Sequence, residues 1–348
     1  MVAASMRESR ITEHGVLPIA LGDNWAYALP TSEGVILIDA GPDYDGAWEA
    51  LSAQLDAAGL SIGDVRYVAI THAHIDHCGL AFRWQEAGVT VVASELETQS
   101  FLHGRNIIGY QTQYVFEHMR RVGVPEERIA GFIESRERMR QAFRSGDNTG
   151  GGVRRERWPG LIRGTPFRAD EPLPDAAEIR LGDRRVLLIS APGHTPGNCV
   201  FYEPETGVLF SGDQVIPGLN SNPGWHWDIS VEPPERFRSL PAFAESLDRI
   251  EALNVEHLYP GHREPSDEVA EEIERVRRHH RKRQGQLREM LAEGPMSPYE
   301  LLMTMFKRLP DRRLWQALAE VTGHIDALVV RGEAVEEDVD GSLTIRLA

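Results

Sequence analysis

Four side chains that can bind a metal ion lie within six consecutive residues of this chain. Residues 72–77 read His-Ala-His-Ile-Asp-His and follow directly on an apolar run. Three imidazoles and a carboxylate are costly to crowd together unless a cation offsets their desolvation and mutual repulsion. His72 and His74 alternate and point the same way in an extended chain, whereas Asp76 and His77 follow the strand. The segment predicts a metal site at the carboxyl end of a strand, where open α/β sheets place their ligands.

Three further candidate ligands lie far downstream, each at the end of an apolar, strand-like run. His194 follows Ala-Pro-Gly, Asp213 follows Phe-Ser-Gly, and His262 follows Tyr-Pro-Gly. A glycine beside each of them lets the backbone turn sharply and another group approach closely. With the segment 72–77 they supply five histidines and two aspartates. Imidazole and carboxylate ligands suit zinc, iron and manganese, and zinc is the preferred assignment.

The elements that must position these residues alternate between strands and helices. The apolar patterns predict strands at 35–39, 65–70 and 89–93, with helices at 44–58 and 80–87 between them. Later strands are predicted at 178–181, 185–190, 198–203, 207–211 and 257–259, and a helix at 234–253. This is the pattern of an α/β fold.

The segment from about residue 95 to residue 170 interrupts that alternation, because it is polar, charged and helical. We interpret it as an insertion that covers the metal site and helps to build the substrate pocket. The alternative interpretation is a solvated excursion that makes no contact with substrate.

The ordered motifs His-x-His-x-Asp-His, Gly-His, Gly-Asp and Gly-His resemble those of the metallo-β-lactamase superfamily, in its dinuclear hydrolase branch. Residues 37–41, Leu-Ile-Asp-Ala-Gly, are similar to the first motif of that family. The resemblance covers about residues 15 to 270. It implies an αββα sandwich, with a catalytic domain over residues 1–270 that contains the insertion.

The resemblance also implies the roles of the candidate ligands. One metal ion would be held by His72, His74 and His194, a second by Asp76, His77 and His262, with Asp213 as the bridge. Two such ions would hold a bridging hydroxide that attacks an ester-like carbonyl, and Asp76 would orient that hydroxide. Asp39 and Thr71 are the expected hydrogen-bond partners of the ligands. For Asp39 the alternative is a helix cap or a turn residue.

Residues 271–348 are expected to form a separate C-terminal domain. The chain pattern predicts helices at 265–292, from Pro298 onward and at 311–331, then a strand pair within 334–347. This order resembles the winged-helix unit of lactamase-beta-2-like hydrolases. The basic run 275–283 would suit phosphate contacts, but the acidic hairpin would repel them. Packing against the core, or homodimerisation, is therefore preferred over nucleic-acid binding.

Composition limits the partners and the compartment. The formal net charge of −16 over 348 residues argues against a polyanion partner. No run is long enough for a transmembrane helix, and the start lacks the apolar stretch of a signal peptide. Cys78 and Cys199 are too few for a disulfide framework. These features predict a reduced, cytoplasmic enzyme without membrane contacts, and Cys78 is interpreted as a small buried apolar residue.

Several other side chains are candidates for substrate contacts. They are Trp225, His226 and Trp227 in the loop after Asp213, and Arg105, Tyr110 and Tyr114 in the insertion. The two tryptophans would wall a pocket, although aromatic residues of such loops also pack back onto the core. Arg105, Arg120 and Arg121 are candidates for holding an anionic carrier such as coenzyme A. His279 and His280 are predicted to be exposed to solvent on the charged C-terminal helix.

The leading functional interpretation is hydrolysis of an acyl thioester, and lactone hydrolysis is the runner-up. An aspartate at position 213, where common zinc β-lactamases have a cysteine ligand, argues against antibiotic hydrolysis. The complete second ligand set argues against mononuclear persulfide dioxygenases, and the motifs of the phosphodiesterase and nuclease branches are not found. A different class stays open, namely a metal-bound effector sensor that acts through the winged helix.

Overall fold

Two β-sheets pack face to face at the centre of the computed structural model, which describes residues 11–102, 112–145, 162–221, 223–228 and 234–348. The first sheet has six strands in chain order: β1 (Leu17–Leu21), β2 (Asn24–Thr31), β3 (Gly34–Ile38), β4 (Val65–Ile70), β5 (Thr90–Ser94) and β6 (Glu171–Leu173). Strands β1 to β3 pair antiparallel, and β3 to β6 pair parallel. The central parallel strands are almost continuously apolar because both of their faces are covered.

The second sheet has five strands and lies over the first. Its members are β7 (Glu178–Leu181), β8 (Arg184–Ser190), β9 (Cys199–Glu203), β10 (Val208–Gly212) and β13 (His257–Pro260). Strands β7 to β10 form an antiparallel meander, and β13 adds to β10 in parallel. A small ribbon, β11 (Trp227–Asp228) with β12 (Glu235–Arg236), lies outside this sheet.

Helices cover the outer faces of both sheets. The described α-helices are α1 (Ala47–Ala57), α2 (Ile75–Cys78), α3 (Ala81–Glu86), α4 (Thr98–Phe101), α5 (Thr112–Arg121), α6 (Glu126–Ser145), α7 (Ser239–Glu251), α8 (Val269–Ala292), α9 (Pro298–Met305) and α10 (Leu314–Val330). The chain ends in the hairpin β14 (Ala334–Val339) and β15 (Ser342–Leu347). Among the described residues, none of these helices combines the length and hydrophobicity of a membrane span.

The apolar clusters define four layers. Side chains such as Ile36 and Phe210 fill the space between the two sheets. Leu51 of α1 and Trp84 of α3 pack on the outer face of the first sheet. Phe243 of α7 packs with Val276 of α8 on the outer face of the second. The structure is therefore a helix–sheet–sheet–helix sandwich, as the family resemblance implied.

A further apolar cluster joins the insertion to the C-terminal elements. Met119 of α5 and Phe132 of α6 pack in one cluster with Leu287 of α8 and Leu318 of α10. The three helices α8 to α10 and the hairpin occur in the predicted order. Their assignment as a winged helix, and the boundary at residue 270, stay predictions.

The sequence analysis missed some elements and misplaced the ends of others. The β1–β2 hairpin, turned by Gly22-Asp23, was not predicted, because Pro18 and Pro30 interrupt its alternation. The helix predicted from residue 234 begins at Ser239, and residues 235–236 instead pair with β11.

Candidate metal centre

The seven predicted ligands come together at one edge of the sandwich. His72 and His74 follow the end of β4, and α2 carries Asp76 and His77 directly after them. The other three are His194 after β8, Asp213 after β10 and His262 after β13. Because β10 and β13 are parallel, their carboxyl ends lie side by side, and the ligand loop after β4 faces them.

The first group consists of three imidazoles and one carboxylate. Nδ1 of His74 lies 3.0 Å from Nε2 of His72 and 2.9 Å from Nε2 of His194. Oδ2 of Asp213 lies 3.5 Å from Nε2 of His194. All four donor atoms lie within 4.8 Å of one another. A tetrahedral zinc ion with bonds of about 2.0–2.1 Å separates its ligand atoms by about 3.3 Å, so the group has the size of a zinc site.

The second group consists of Asp76, His77 and His262, whose donor atoms also lie within 4.8 Å of one another. Nε2 of His262 lies 3.5 Å from Oδ2 of Asp76. Asp213 contacts this group through its other oxygen, because Oδ1 lies 3.4 Å from Nε2 of His77 and 3.5 Å from Nε2 of His262. The Asp213 carboxylate therefore lies between the two groups, with one oxygen toward each.

Outer hydrogen bonds hold the second ring nitrogen of four of the five histidines. The contacts are Thr71 Oγ1 to His72 Nδ1 at 3.0 Å, Asp39 Oδ2 to His77 Nδ1 at 2.8 Å, Ser221 Oγ to His194 Nδ1 at 3.2 Å, and the Asp23 carbonyl to His262 Nδ1 at 2.8 Å. Such contacts fix the tautomer and the orientation of an imidazole ligand. Asp39 and Thr71 lie where the sequence placed them, whereas Ser221 and Asp23 were not foreseen.

Asp39 connects the two ligand loops. Its carboxylate accepts hydrogen bonds from the backbone N–H and the hydroxyl of Thr71, at 2.8 and 2.9 Å, and contacts the imidazole of His77. Its φ of 60° is left-handed, a conformation that aspartate and asparagine tolerate better than most residues. Asp39 is therefore more than a turn residue, because its side chain positions two neighbours of the metal groups.

Glu97 is a further positioning residue that sequence reasoning missed. Its buried carboxylate accepts hydrogen bonds from the backbone N–H of Ala73 and of Gly197, both at 2.9 Å. One of these residues lies in the His72–His77 loop, and the other lies three residues after His194. Burial raises the pKa of Glu97, although these hydrogen bonds oppose the shift. No local pattern marks this glutamate, because it lies in a polar, helical stretch.

The electrostatics differ between the two groups. Burial lowers the pKa of His72 well below its usual value and that of His194 to about 3. Both are therefore neutral, the form that binds a metal. Burial by itself lowers the pKa of both His77 and His262, but the carboxylate of Asp213 acts in the opposite direction. The net result is that the pKa of His77 is raised and the pKa of His262 is raised to about 10. The carboxylates of the aspartates therefore make a positive charge favourable in the second group.

The residues present fit a metal pair. Oδ1 of Asp213 is buried and has no hydrogen-bond partner among the described residues, so an acceptor is left for a cation. Gly261 leaves the space that this arrangement needs. A Cβ at that position would lie 2.4 Å from Cε1 of His77 and 2.9 Å from Oδ1 of Asp213.

A cavity of about 440 Å³ adjoins the first group, with His74 and His194 in its wall. Its apolar lining includes Phe132 of α6, Trp225 and Trp315 of α10. The insertion, the loop after β10 and the C-terminal helices therefore all contribute to this cavity. Two arginines, Arg136 and Arg312, and the candidate His226 also line it.

The other predicted substrate residues have different locations. Trp227 is buried behind Trp225, at 5.5 Å between ring centroids, and Tyr114 packs on the same apolar cluster. Neither lines the cavity. Arg105 and Tyr110 lie outside the described residues. Arg120 and Arg121, predicted to hold an anionic carrier, form ion pairs with Glu126 and Asp338.

Comparisons with known proteins agree with this geometry. A probable metallo-hydrolase of Bacillus subtilis (strain 168), YqjP, is 25% identical over 315 residues, which span 89% of each chain. The crystal structure of a metallo-beta-lactamase family protein from Thermus thermophilus has a TM-score of 0.72. That protein is 24% identical, and the alignment covers 96% of this chain and 99% of the other, which shows a shared fold.

Two shorter matches are to thioesterases. The atrochrysone carboxyl ACP thioesterase dmxR1 of Cryptosporiopsis sp. (strain 8999) is 28% identical over 122 residues, 34% of each chain. The acyl-coenzyme A thioesterase MBLAC2 of Gallus gallus is 38% identical over 53 residues, 15% of this chain and 19% of that protein. The family model of the metallo-beta-lactamase superfamily matches residues 20–262, a segment that contains all seven candidate ligands. The resemblance is confirmed, and this chain belongs to the metallo-beta-lactamase superfamily.

Proposed function

We propose that this member of the superfamily is a dinuclear metal-dependent hydrolase that cleaves a small acyl thioester. The observation that carries the proposal is the convergence of seven donors into two groups that share Asp213. The cavity beside His74 and His194 supplies a place for the substrate next to the first group.

The side chains have distinct roles in this proposal. His72, His74 and His194 would hold one ion, Asp76, His77 and His262 the other, and Asp213 both; zinc is preferred over iron or manganese. When bound, such a pair supplies Lewis acidity and a water of lowered pKa. Oδ2 of Asp76 lies 3.4 Å from the amide nitrogen of Asn24, and we assign its other oxygen to accept a proton from the attacking water.

The lining of the cavity favours an acyl thioester with an anionic carrier. Phe132, Trp225 and Trp315 form apolar walls that suit an acyl chain. The guanidinium groups of Arg136 and Arg312 suit the phosphates of a carrier such as coenzyme A. The two thioesterases among the relatives support this substrate class.

Two alternatives are distinguished by experiment. A lactone presents the same carbonyl chemistry but no anionic carrier, so it would not use the two arginines. A metal-bound sensor would act through the C-terminal unit and would bind DNA. The winged-helix assignment, a cytoplasmic location and homodimerisation are part of the proposal and need their own measurements.

The proposal is tested with a substrate panel and two ligand variants. Purified protein is assayed against acyl thioesters, lactones and phosphodiesters, and its metal content is measured by elemental analysis. We expect thioester turnover in the wild type, and loss of both turnover and bound metal in His72→Ala and Asp213→Ala. Asp45→Ala removes an exposed carboxylate and serves as the control.

The possible results separate the alternatives. Wild-type turnover in either ligand variant would contradict the assignment of the site. Turnover of lactones without thioesters would favour the runner-up. Retention on a DNA column at moderate salt that survives Asp76→Asn, without turnover, would favour the sensor.

A further inference from the structure

A second set of metal-binding side chains lies between two C-terminal helices. His279 projects from α8, and Glu320 and His324 project from α10, one helical turn apart. One donor atom from each lies within 4.8 Å of the others, and Nε2 of His279 lies 3.6 Å from Oε1 of Glu320. The sequence analysis treated this part of α8 as exposed. That prediction is wrong for His280, which is buried and whose ring centroid lies 5.5 Å from that of His324.

A buried nitrogen of this set lacks a hydrogen-bond partner among the described residues. His324 is only 1% exposed, and its Nδ1 has no partner among the described residues. Oε1 of Glu320 forms an ion pair with Nε of Arg283 at 2.7 Å. An unpartnered buried polar group is unfavourable, so its presence indicates a ligand that would satisfy it. Asp213 of the first site shows the same feature.

The set opens onto a cavity of its own, of about 400 Å³. His279, Glu320 and His324 line it, so water can complete the coordination of an ion held by three protein ligands. Ser221 also lines this cavity, and its hydroxyl contacts Nδ1 of His194 at 3.2 Å. An occupant of this cavity would therefore lie one side chain away from the first metal group.

We propose that His279, Glu320 and His324 form a separate binding site for one divalent transition-metal ion, with zinc as the reference metal. Two imidazoles and a carboxylate are ligands that zinc and iron both accept.

The competing interpretation is a plain ion pair between Arg283 and Glu320, with the histidines as packing. That pair leaves the imidazole nitrogen of His324 unsatisfied. Arg283 also has other contacts, because its guanidinium lies 5.1 Å from the ring centroid of Phe306 and Nη1 donates to Gln286 at 3.3 Å. The guanidinium can therefore release Glu320 to an ion.

The test compares zinc stoichiometry among variants of the full-length protein. Wild type, His279→Ala, Glu320→Gln and a control, His257→Ala, are equilibrated with buffered Zn²⁺ and analysed for zinc per chain. His257 is a fitting control because it is a similarly half-buried histidine that pairs with a carboxylate, Asp267, outside both sites. We expect His279→Ala and Glu320→Gln to hold one zinc ion fewer than the wild type and the control. Arg283→Gln, which removes the competing guanidinium, should bind that ion more tightly.

Equal zinc content in all of these variants would overturn the proposal, as would unchanged or weaker binding in Arg283→Gln. The result is independent of the hydrolytic centre. If the proposed hydrolytic centre bound no metal, the wild type would still contain one zinc ion per chain more than His279→Ala. Circular dichroism and urea unfolding of each variant verify that the fold is retained.

Discussion

At the residue scale, the metal groups depend on side chains that do not themselves contact an ion. Asp39 accepts two hydrogen bonds from Thr71 and contacts His77, while Thr71 in turn contacts His72. One carboxylate therefore orients a ligand of each proposed metal group. A partner of this kind typically contributes 10–100-fold to metal affinity or activity.

Asp39→Asn tests this positioning role without disturbing the backbone. Asparagine also tolerates the left-handed conformation at this position, so the turn is retained. The substitution removes the negative charge that contacts the imidazole of His77. We therefore expect metal affinity or activity to decrease by about 10–100-fold. The measurement is a zinc titration of the metal-depleted variant beside kcat for the thioester. A normal zinc affinity in a folded Asp39→Asn protein would rule out the role.

His118 yields a prediction about pH and stability. Its ring lies 5.1 Å from that of Trp225 and 5.7 Å from that of Trp227. Burial lowers its pKa to about 3, and the cationic Arg236 and Arg121 act in the same direction. When the pKa of a histidine is lower in the folded than in the unfolded state, only the unfolded state gains the proton between the two values. The free energy of unfolding is therefore unaffected above about pH 6.5 and decreases as the pH falls from there toward about 3.

The variant His118→Phe keeps a ring in this position but removes the titration. Between pH 7 and pH 5 the wild type should lose about 2 kcal/mol more unfolding free energy than the variant, since only the unfolded wild type gains the proton. Urea unfolding at both pH values measures the difference, and other histidines cancel because both proteins contain them. Parallel losses in the two proteins would show that His118 titrates normally.

At the element scale, the site exists because strand ends from both sheets meet. The ligands after β10 and β13 come from adjacent parallel strands, and the loop after β4 approaches them from the first sheet. Gly261, between β13 and His262, is a position where this approach is close. Its N–H donates to the carbonyl of Gly212 at 2.8 Å, and its own carbonyl accepts from Trp25 at 2.9 Å.

Gly261→Ala should damage the metal groups more than the fold. The added Cβ would lie 2.4 Å from His77 and 2.9 Å from Asp213, so these two ligands must move. We expect a loss of bound metal and of hydrolysis, measured by elemental analysis and a thioester assay. Gly285→Ala is the matched control, because its Cβ meets nothing within 4 Å and alanine favours helix α8 by about 1 kcal/mol. Full metal content in Gly261→Ala would contradict this expectation, because it would show that the loop accommodates the added Cβ without displacing His77 or Asp213.

The difference between what the sequence did and did not reveal follows from the range of the contacts. The seven candidate ligands stand out in the sequence because each lies in a local pattern, either the 72–77 segment or a glycine after an apolar run. Glu97 and Ser221 could not be recognised from the sequence, because neither lies in a local pattern. Each forms its hydrogen bond with a residue at least 24 positions away. His280 was misplaced because the charged surroundings on α8 conceal a face that packs on α10 and Phe243.

At the scale of the whole molecule, non-covalent contacts as well as the covalent chain connect the C-terminal helices to the rest of the protein. Helices α5 and α6 of the insertion share an apolar cluster with α8, α9 and α10. A buried ion pair adds to this contact, because Nη1 and Nη2 of Arg236 each donate to the Asp326 carboxylate at 2.6 Å. Arg236 belongs to β12, next to the tryptophan loop of the cavity, and Asp326 belongs to α10. This arrangement favours cooperative unfolding of the two proposed domains.

Arg236→Met tests how strongly this pair joins the two regions. Asp326 is 0% exposed, so removal of the arginine leaves a buried charge, a change that typically costs about 3–5 kcal/mol. The neighbouring Arg238, 3.7 Å from Asp326, should hold the loss toward the lower end of that range. Arg346→Met, which breaks an exposed pair with Glu337, should cost no more than about 1 kcal/mol. The double variant Arg236→Met with Asp326→Leu removes both charges and should recover much of the loss. Urea midpoints of the four proteins decide the matter: if Arg236→Met unfolds like Arg346→Met, the pair does not contribute to the joint, and the apolar cluster alone holds the C-terminal helices in place.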